Sequence, residues 1–328
     1  MTRAALAIHG GAGTILRSQM TPDLEREYRN GLEASLIAGW NVLDRGGSSI
    51  DAVEAAVTSL EDFPLFNAGR GAVFTHDGRQ EMDACIMDGS KLRAGSVAAV
   101  EHVKNPIKLA RLVMQKTQHV LLAGDGAIEF ARQQGVPFEN DEYFFTEHRW
   151  LQLQHARAEG VVELDHTPEE LELLEESEIE ATPADQHFVF PNDKPLGTVG
   201  AVASDINGHL AAATSTGGMT NKKFGRVGDT PLVGLGTYAD EICAVSGTGH
   251  GEFFMLGVTA YDVSARMKYK GLDLIDAARE TIEHLTSIRG EGGVIAVDSH
   301  GNVALPFNSQ GMYRGYIKDG RPVTEIYR

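Results

Sequence analysis

The sequence of 328 residues predicts an α+β fold in which antiparallel sheets are covered by helices. Helical and strand patterns occur in blocks rather than in strict β-α-β alternation, which favours antiparallel sheets over a doubly wound parallel sheet. Apolar runs are joined by hairpin signals such as Asn207-Gly208. Hydrophobic residues make up 42% of the chain, so the chain can bury a substantial core and fold by itself.

The first half begins with a predicted buried strand at 4–8, followed by a glycine loop at His9–Gly13 where backbone can approach a neighbour closely. Thr21 and Pro22 then start a helix. In chain order, the other predicted elements are the remainder of that helix up to Gly46, a helix capped by Ser48 or Ser49 and ending before Pro64, a hairpin at 71–89 closed by Asp77-Gly78, a strand at 94–100, a helix from Asn105-Pro106 to Lys116, a strand at 119–124, and helices at 126–134 and 146–159.

The second half begins with two apolar strands at 198–216 around Asn207-Gly208. It continues with a strand at 242–248, helices at about 252–269 and 273–286, and a hairpin at 293–305. Glycine-rich loops separate these elements.

The net charge of −17 is concentrated in one segment. Residues 158–193 contain twelve acidic residues and no Lys or Arg, which is typical of a solvated or flexible linker. We expect this linker at about 158–197, dividing the chain in two. Because the remainder is only mildly acidic, a nucleic-acid surface with clustered Lys and Arg is not expected.

The sequence has no apolar run of membrane-spanning length and no secretory pattern at its start, so we expect a cytoplasmic protein without membrane contact. Its two cysteines, Cys85 and Cys243, lie in apolar or small-residue segments without a CxxC motif or a nearby Cys/His cluster. They are interpreted as buried free thiols rather than disulfide or zinc residues.

Several common catalytic motifs are missing, including GxxxxGK[ST], HExxH, CxxC, GxSxG and SxxK. The glycine spacing of "HGGAGT" also departs from the dinucleotide-binding fingerprint.

The second half instead contains a concentration of Thr, Ser and Gly in four strings: "GTVG" at 197–200, "ATSTGGMTN" at 213–221, "GRVGD" at 225–229 and "SGTGHGE" at 246–252. Each string alone is typical of a tight turn. Likewise, the spacing of Arg226 and Asp229 alone is typical of a surface ion pair between them. Hydroxyl groups beside glycines at strand ends also suit a hydrolase, which must stabilise a developing oxyanion.

In their order along the chain, these strings resemble the plant-type asparaginase and isoaspartyl peptidase family of N-terminal nucleophile hydrolases. The resemblance covers nearly the whole chain. Further matching strings are "IHGGAG", "PLFNAGRGAVF", "MDACIMDG", "GTVGAVASD", "GRVGDTPLVGLGTYAD" and "GNVALPFNSQGMYRG". The resemblance implies a four-layer αββα sandwich with two antiparallel sheets between helical layers.

The resemblance further implies that the precursor cleaves itself between Gly197 and Thr198. The products would be residues 1–197 and 198–328, together one folded domain. The new α-amino group of Thr198, with an ordinary pKa of about 7.7–8.0, can then serve as the base for its own hydroxyl. No catalytic histidine is needed, so the twelve histidines are interpreted as surface or core residues, with His9 and His250 near the site.

The resemblance also implies the roles of the remaining site residues. Thr216 supports the nucleophile, and Thr248 and Gly249 form the oxyanion position. Arg226 and Asp229 bind the substrate's α-carboxylate and α-amino group, and Gly251 offers a carbonyl to that amino group. Asn67 and the His9–Gly13 segment flank the nucleophile. No organic cofactor is implied. A structural sodium ion would be bound by the main-chain carbonyls of Leu60, Glu61, Phe63, Phe66, Ala68 and Arg70.

The expected activity is hydrolysis of β-aspartyl amide bonds in isoaspartyl dipeptides and L-asparagine, through a β-aspartyl ester on Thr198. Two cleaved pairs are expected to associate. The alternatives are a glycosylasparaginase, a protein-directed threonine peptidase, and an unprocessed, non-enzymatic binding module. Gly197 and Gly217 depart from the glycosylasparaginase pattern, and Leu196 replaces a histidine that is frequent before the cleaved bond.

Overall fold

The computed structural model describes residues 4–160, 162, 197–318 and 320–328. Leu196 and most of the predicted linker lie outside them. The helices in the described part are α1 (Pro22–Asp44), α2 (Ser49–Glu61), α3 (Pro106–Lys116), α4 (Gly124–Gln133), α5 (Asp141–Phe144), α6 (Glu147–Glu159), α7 (Gly251–Gly257), α8 (Thr259–Ala265) and α9 (Leu274–Ser287). The strands are β1 (Ala5–Gly13), β2 (Met82–Asp88), β3 (Arg93–Val100), β4 (Leu121–Ala123), β5 (Val199–Ser204), β6 (Leu210–Thr216), β7 (Thr237–Ala239), β8 (Cys243–Gly249), β9 (Gly292–Asp298), β10 (Val303–Ala304), β11 (Gly311–Lys318) and β12 (Arg321–Tyr327).

These strands form two sheets that pack face to face. The larger sheet has the order β12-β11-β1-β5-β6-β2-β3-β4, and the smaller has the order β10-β9-β8-β7. Helices α1 to α4 cover the outer face of the larger sheet, and α8 and α9 cover the outer face of the smaller one. The predicted α+β class and αββα layering are therefore confirmed.

The side chains of β5 and β6 alternate between the two faces of the larger sheet, so each strand contacts both the helices and the smaller sheet. Ala201 and Ala203 face the helices, whereas Val202 and Ala212 face the smaller sheet. Successive residues of a strand point to opposite faces, so Thr214 and Thr216 also face the smaller sheet. In the same way Ser215 faces α2, where its hydroxyl donates to Glu61.

The register of the larger sheet places Thr198 beside Thr216. Strand β5 lies between β1 and β6, with His9 opposite Gly200 on one side and Val199 opposite Ser215 on the other. The predicted hairpin around Asn207-Gly208 is confirmed by this pairing, and Gly208 takes the positive φ of +79° that its turn requires.

Two local predictions in the first half were wrong. The His9–Gly13 segment continues strand β1, with an irregularity between His9 and Gly11, instead of forming a loop. Its glycines permit close packing, since a Cβ on Gly10 would lie 2.4 Å from the Phe66 ring. Asp77-Gly78 does form a turn, but 71–81 does not pair with β2, because β3 and β6 occupy both edges of that strand.

The second half also differs from prediction. The helix expected at 252–269 is interrupted at Val258, whose left-handed φ of +49° separates α7 from α8. Strands β7, β11 and β12 were not predicted, and β4 pairs with β3 in parallel rather than antiparallel fashion. Strand β11 pairs with β1 from the other end of the chain, a partner that local sequence patterns do not reveal. Strands β12 and β7 pair with the neighbouring strands β11 and β8, so these two hairpins were missed although their partners are local.

The N-terminal caps and the thiols agree with prediction. Thr21 accepts a hydrogen bond from the Leu24 amide, and Ser48 accepts one from Asp51. Cys85 and Cys243 are both buried and free. Among the residues that the structure describes, none of the helices combines the length and apolar character needed to cross a bilayer.

Candidate active site

Thr198 lies just before β5, and its hydroxyl donates to Thr216 Oγ1 at 3.3 Å. Thr216 ends the neighbouring strand β6. Its own hydroxyl donates to the Gly197 carbonyl at 3.0 Å and accepts from the Gly218 amide at 2.9 Å. The predicted support of Thr198 by Thr216 is thus geometrically available.

Asn67 approaches the same peptide from the turn after α2. Its Nδ2 donates to the Gly197 carbonyl at 2.8 Å and to the Gly218 carbonyl at 2.7 Å. The amide orientation is set by its Oδ1, which accepts from the Val73 amide at 3.0 Å. The Gly197 carbonyl oxygen therefore accepts from two donors, one that precedes and one that follows the predicted cleavage site in the chain.

Thr248 and Gly249 lie at the end of β8 in the smaller sheet, and Gly249 lines the same cleft as Thr198. The Thr248 hydroxyl is fully buried and has no hydrogen-bond partner among the described residues. A buried hydroxyl without a partner costs free energy unless a ligand satisfies it. This position suits a group that binds a substrate oxygen.

Arg226 does not pair with Asp229, contrary to the surface ion pair considered from spacing. Its Nε and Nη2 instead donate to both carboxylate oxygens of Glu252, at 3.0 and 2.9 Å. Glu252 lies in the quoted string "SGTGHGE", but its bond to Arg226 was not predicted. This two-point contact orients the guanidinium and leaves Nη1 outside the fork.

Asp229 is 5% exposed, and its Oδ2 has no hydrogen-bond partner within the described structure. Burial raises the pKa of Asp229 to about 7, against the opposing effect of the Arg226 charge. Gly251 is adjacent to both groups, because a Cβ there would lie 2.8 Å from Arg226 Nη2 and 2.9 Å from Asp229 Oδ1. A larger residue at 251 would fill the space between them.

Two further buried charged residues, Lys222 and Asp83, were also missed by sequence reasoning. The Lys222 ammonium group donates to the Glu81 carbonyl at 2.7 Å. Burial raises the pKa of the Asp83 carboxyl, and the nearby Lys222 charge partly opposes this rise. A Cβ on Gly218 would lie 3.1 Å from Lys222 Nζ. Lys222 directly follows the quoted string "ATSTGGMTN" and was not singled out from the sequence.

The two predicted near-site histidines differ in their contacts. His9 Nδ1 lies 3.0 Å from the Thr198 carbonyl oxygen, and burial lowers the pKa of His9 to about 3. His250 Nε2 lies 3.8 Å from the Glu252 carboxylate. Burial also lowers the pKa of His250, partly opposed by that carboxylate.

One small cleft around the Gly197–Thr198 bond contains most of the predicted site residues, although Asn67 and Thr248 are not part of its lining. It is lined by Gly197, Thr198, Thr216, Gly218, Met219, Arg226, Gly228, Asp229, Thr230, Gly249 and Gly251. A cavity of about 340 Å³ beside Phe145 and Trp150 contains none of the predicted site residues. We assign the site to the smaller cleft because the polar groups converge there.

The predicted sodium ligands lie in the C-terminal turn of α2 and the turn that follows it. A Cβ on Gly69 would lie 2.4 Å from the Glu61 carbonyl oxygen, so the turn folds back tightly on the helix end. Helix C-termini present carbonyl oxygens that lack helical N–H partners. The carbonyls of Leu60, Phe63, Phe66 and Ala68 each accept a backbone hydrogen bond in this turn, so a cation would have to share these oxygens with the N–H groups.

Comparison of the sequence with known proteins shows the family of the chain. The asparaginase family model matches residues 2–325. The chain is 51% identical to an isoaspartyl peptidase of Salmonella typhimurium, with both chains fully covered. It is 49% identical to an isoaspartyl peptidase of Escherichia coli, covering 100% of this chain and 97% of the relative. It is 43% identical to a plant-type L-asparaginase of Pyrococcus horikoshii, covering 98% of each. The chain therefore belongs to the asparaginase family.

Proposed function

We propose that this protein is an amidohydrolase that cleaves itself before Thr198 and then hydrolyses β-aspartyl amide bonds in isoaspartyl dipeptides and L-asparagine. The observation that carries the proposal is the Gly197 carbonyl, which accepts from Asn67 and Thr216 beside the Thr198 hydroxyl. The names of the relatives, isoaspartyl peptidase and plant-type L-asparaginase, support both substrate classes.

In the self-cleavage step, Thr198 Oγ attacks the Gly197 carbonyl carbon. Asn67 Nδ2 and Thr216 Oγ1 donate to the oxygen as negative charge develops on it. The C–N bond then breaks to give an ester, and the hydroxyl proton passes to the nitrogen. Water hydrolyses the ester, leaving a Gly197 carboxylate and a free Thr198 amine.

In substrate turnover, the Thr198 amine accepts the proton of its own hydroxyl, directly or through water. The oxygen attacks the β-carbonyl of the substrate, and the Thr248 hydroxyl and Gly249 amide donate to the resulting oxyanion. The C–N bond breaks with proton transfer to the departing ammonia or amino acid. Water then hydrolyses the β-aspartyl ester to release aspartate.

One substrate clamp serves both substrate classes, because each carries a free α-amino and α-carboxyl group beside the scissile amide. Arg226, held by Glu252, offers its remaining N–H groups to the carboxylate. Asp229 accepts from the amino group through the oxygen that has no partner among the described residues. The Gly251 carbonyl is the third proposed contact.

The assembly, location and ion remain parts of the proposal. Two cleaved pairs associate into a heterotetramer, and the protein acts in the cytoplasm, consistent with two free cysteines. A sodium ion would stabilise the turn after α2 through the carbonyls of Leu60, Glu61, Phe63, Phe66, Ala68 and Arg70. Its role there is structural, since none of these carbonyls has a part in the reaction described above.

The test combines a denaturing gel with N-terminal sequencing and two assays. We expect a smaller fragment beginning Thr-Val-Gly-Ala, ammonia release from L-asparagine and free leucine from β-Asp-Leu. Thr198→Ala should remain one chain without turnover. An unsubstituted protein that stays at 35.4 kDa, or turnover by Thr198→Ala, would contradict the mechanism. Cleaved protein that accepts neither substrate would point to a glycosylasparaginase or a protein-directed peptidase.

A further inference from the structure

We propose that His9 is a positioning residue that holds the nucleophile by its backbone, through the hydrogen bond between His9 Nδ1 and the Thr198 carbonyl. This inference rests on the proposed role of Thr198. The two atoms lie 3.0 Å apart, and the His9 side chain is fully buried between the sheets. The contact joins residues 189 positions apart in the chain.

Thr198 needs such a contact because strand pairing stops before it on both sides. The pairing of β1 with β5 ends at His9 and Gly200, and that of β5 with β6 ends at Val199 and Ser215. After cleavage, Thr198 would be a chain end with no covalent bond to Gly197. The His9 side chain, on β1, supplies a hydrogen bond to Thr198 just beyond the last paired residues of β1 and β5.

The chemistry of the partners determines the direction of the hydrogen bonds. A carbonyl oxygen can only accept, so His9 Nδ1 carries the proton, and Nε2 of the neutral ring accepts from Ser246 Oγ at 2.8 Å. Ser246 in turn accepts from Thr214 at 2.7 Å, and Thr214 accepts from Thr237 at 2.6 Å. All four side chains are fully buried. A continuous series of hydrogen bonds, each donated in the same direction, therefore connects Thr237 in the smaller sheet to the Thr198 carbonyl.

The hydrogen bond between His9 and Ser246 depends on the glycine at position 200. A Cβ at that residue would lie 2.0 Å from Ser246 Oγ and 2.4 Å from His9 Nε2. The His9–Ser246 bond thus passes directly over the Gly200 Cα, where any side chain would separate the two groups. This accounts for the second glycine of "GTVG", which no proposed catalytic step uses.

Four variants separate positioning from general stability. His9→Ala should lower kcat of the cleaved enzyme about 10- to 100-fold, because a small misplacement of a nucleophile is costly. KM should change less than about threefold, since Arg226 and Asp229 are untouched. His9→Asn should recover most of the activity, because its amide can donate near the Nδ1 position. Ser246→Ala should cause an intermediate loss, because it frees the ring at Nε2.

Ser35→Ala is the matched control, a fully buried serine whose hydroxyl donates to the Ala56 carbonyl at 2.9 Å between α1 and α2. It should reduce stability without changing kcat. Thermal unfolding of all variants and the amount of Thr198 chain ends should be measured with the kinetics. Imidazole ¹⁵N NMR should show His9 protonated at Nδ1 and unprotonated at Nε2, the less common neutral form.

The outcomes separate this inference from the proposed function. Unsubstituted protein that neither cleaves nor turns over substrate would refute the proposed function. Normal cleavage and turnover, with His9→Ala within twofold of the unsubstituted kcat, would refute the positioning role alone. If His9→Ala fails to fold, Ser246→Ala provides the test. The positioning role of His9 is refuted if Ser246→Ala has the same kcat as Ser35→Ala and the NMR spectrum shows His9 protonated at Nε2.

Discussion

At the scale of single residues, the proposed role of Asp229 would link substrate binding to pH. Burial raises its pKa to about 7, and its electrostatic neighbours are Arg226, Glu252 and Asp83. In the proposed mechanism the Asp229 carboxylate binds the substrate's ammonium group, whereas the protonated acid would not attract it. The ionised fraction falls as the pH drops below 7, so substrate binding should weaken over that range.

We therefore predict that KM for β-Asp-Leu rises as the pH falls below about 7, approaching tenfold per pH unit at the acid end. Steady-state kinetics between pH 5 and 9 would measure this. Titration of the Thr198 amine should appear chiefly in kcat. Asp229→Asn should have a high KM that does not change near pH 7, so the inflection in the plot of KM against pH should be lost. The same inflection in that variant would rule out Asp229 as its source.

Asn67 is the second residue with a separable role. Asn67→Asp preserves the Oδ1 that accepts from Val73 but removes the Nδ2 donor to the Gly197 carbonyl. Self-cleavage should slow by a factor on the order of 10²–10³, the usual cost of losing one oxyanion donor. The measurement is a time course of the full-length band on denaturing gels. Cleavage at the unsubstituted rate would show that this donor is dispensable.

At the scale of elements, helix α6 holds the turn that carries Asn67. Arg149 is 1% exposed, and its guanidinium donates to the Gly71 carbonyl at 2.9 Å and the Leu65 carbonyl at 3.1 Å. These carbonyls lie on either side of Asn67 in the chain. Burial lowers the pKa of Arg149 to about 10, so the group stays charged at neutral pH.

Arg149→Lys should lower the free energy of unfolding by about 2–3 kcal/mol, because a lysine cannot reach both carbonyls and hydrogen bonds from charged groups are strong. Urea unfolding in a Thr198→Ala background would measure it on a single chain. Arg157→Lys is the control on the same helix. Arg157 Nε donates to the His76 carbonyl at 3.0 Å in an exposed position, so we expect a change below about 1 kcal/mol. Equal losses in both variants would contradict the role of Arg149.

At the scale of the whole molecule, the two predicted fragments alternate within one sheet. Strands β12 and β11 come from the second fragment, β1 from the first, β5 and β6 from the second, and β2 to β4 from the first. Cleavage at Gly197–Thr198 would leave every one of these pairings in place. Separation of the fragments would expose the edges of three strand pairs and the apolar surfaces between them.

We predict that the cleaved fragments co-elute in gel filtration and separate only in denaturant. Fragments 1–197 and 198–328 produced separately should fold poorly, because each lacks the strands between which its own must lie. Circular dichroism of each fragment, alone and mixed, would measure this. A cooperatively folded 198–328 fragment would show that the two halves are independent.

Much of this fold could be predicted because local signals were strong. Thr21, Ser48 and Asn207-Gly208 act through neighbours within a few residues, so caps and a hairpin were found from the sequence. The turn at Asp77-Gly78 was recognised but assigned to the wrong strand pair. A turn signal determines a local change of direction, whereas pairing depends on which edges of β2 remain available.

The sequence by itself determined the family resemblance, the sandwich class and the candidate residues, because these depend on residue identity, order and short-range periodicity. Only the tertiary structure decided that Arg226 pairs with Glu252 and that Asn67 reaches the Gly197 carbonyl across 130 positions. It also decided that His9 Nδ1, on β1, lies 3.0 Å from the Thr198 carbonyl oxygen. These contacts depend on sheet register and on the packing of the two sheets, which bring together side chains with no local relation in the chain.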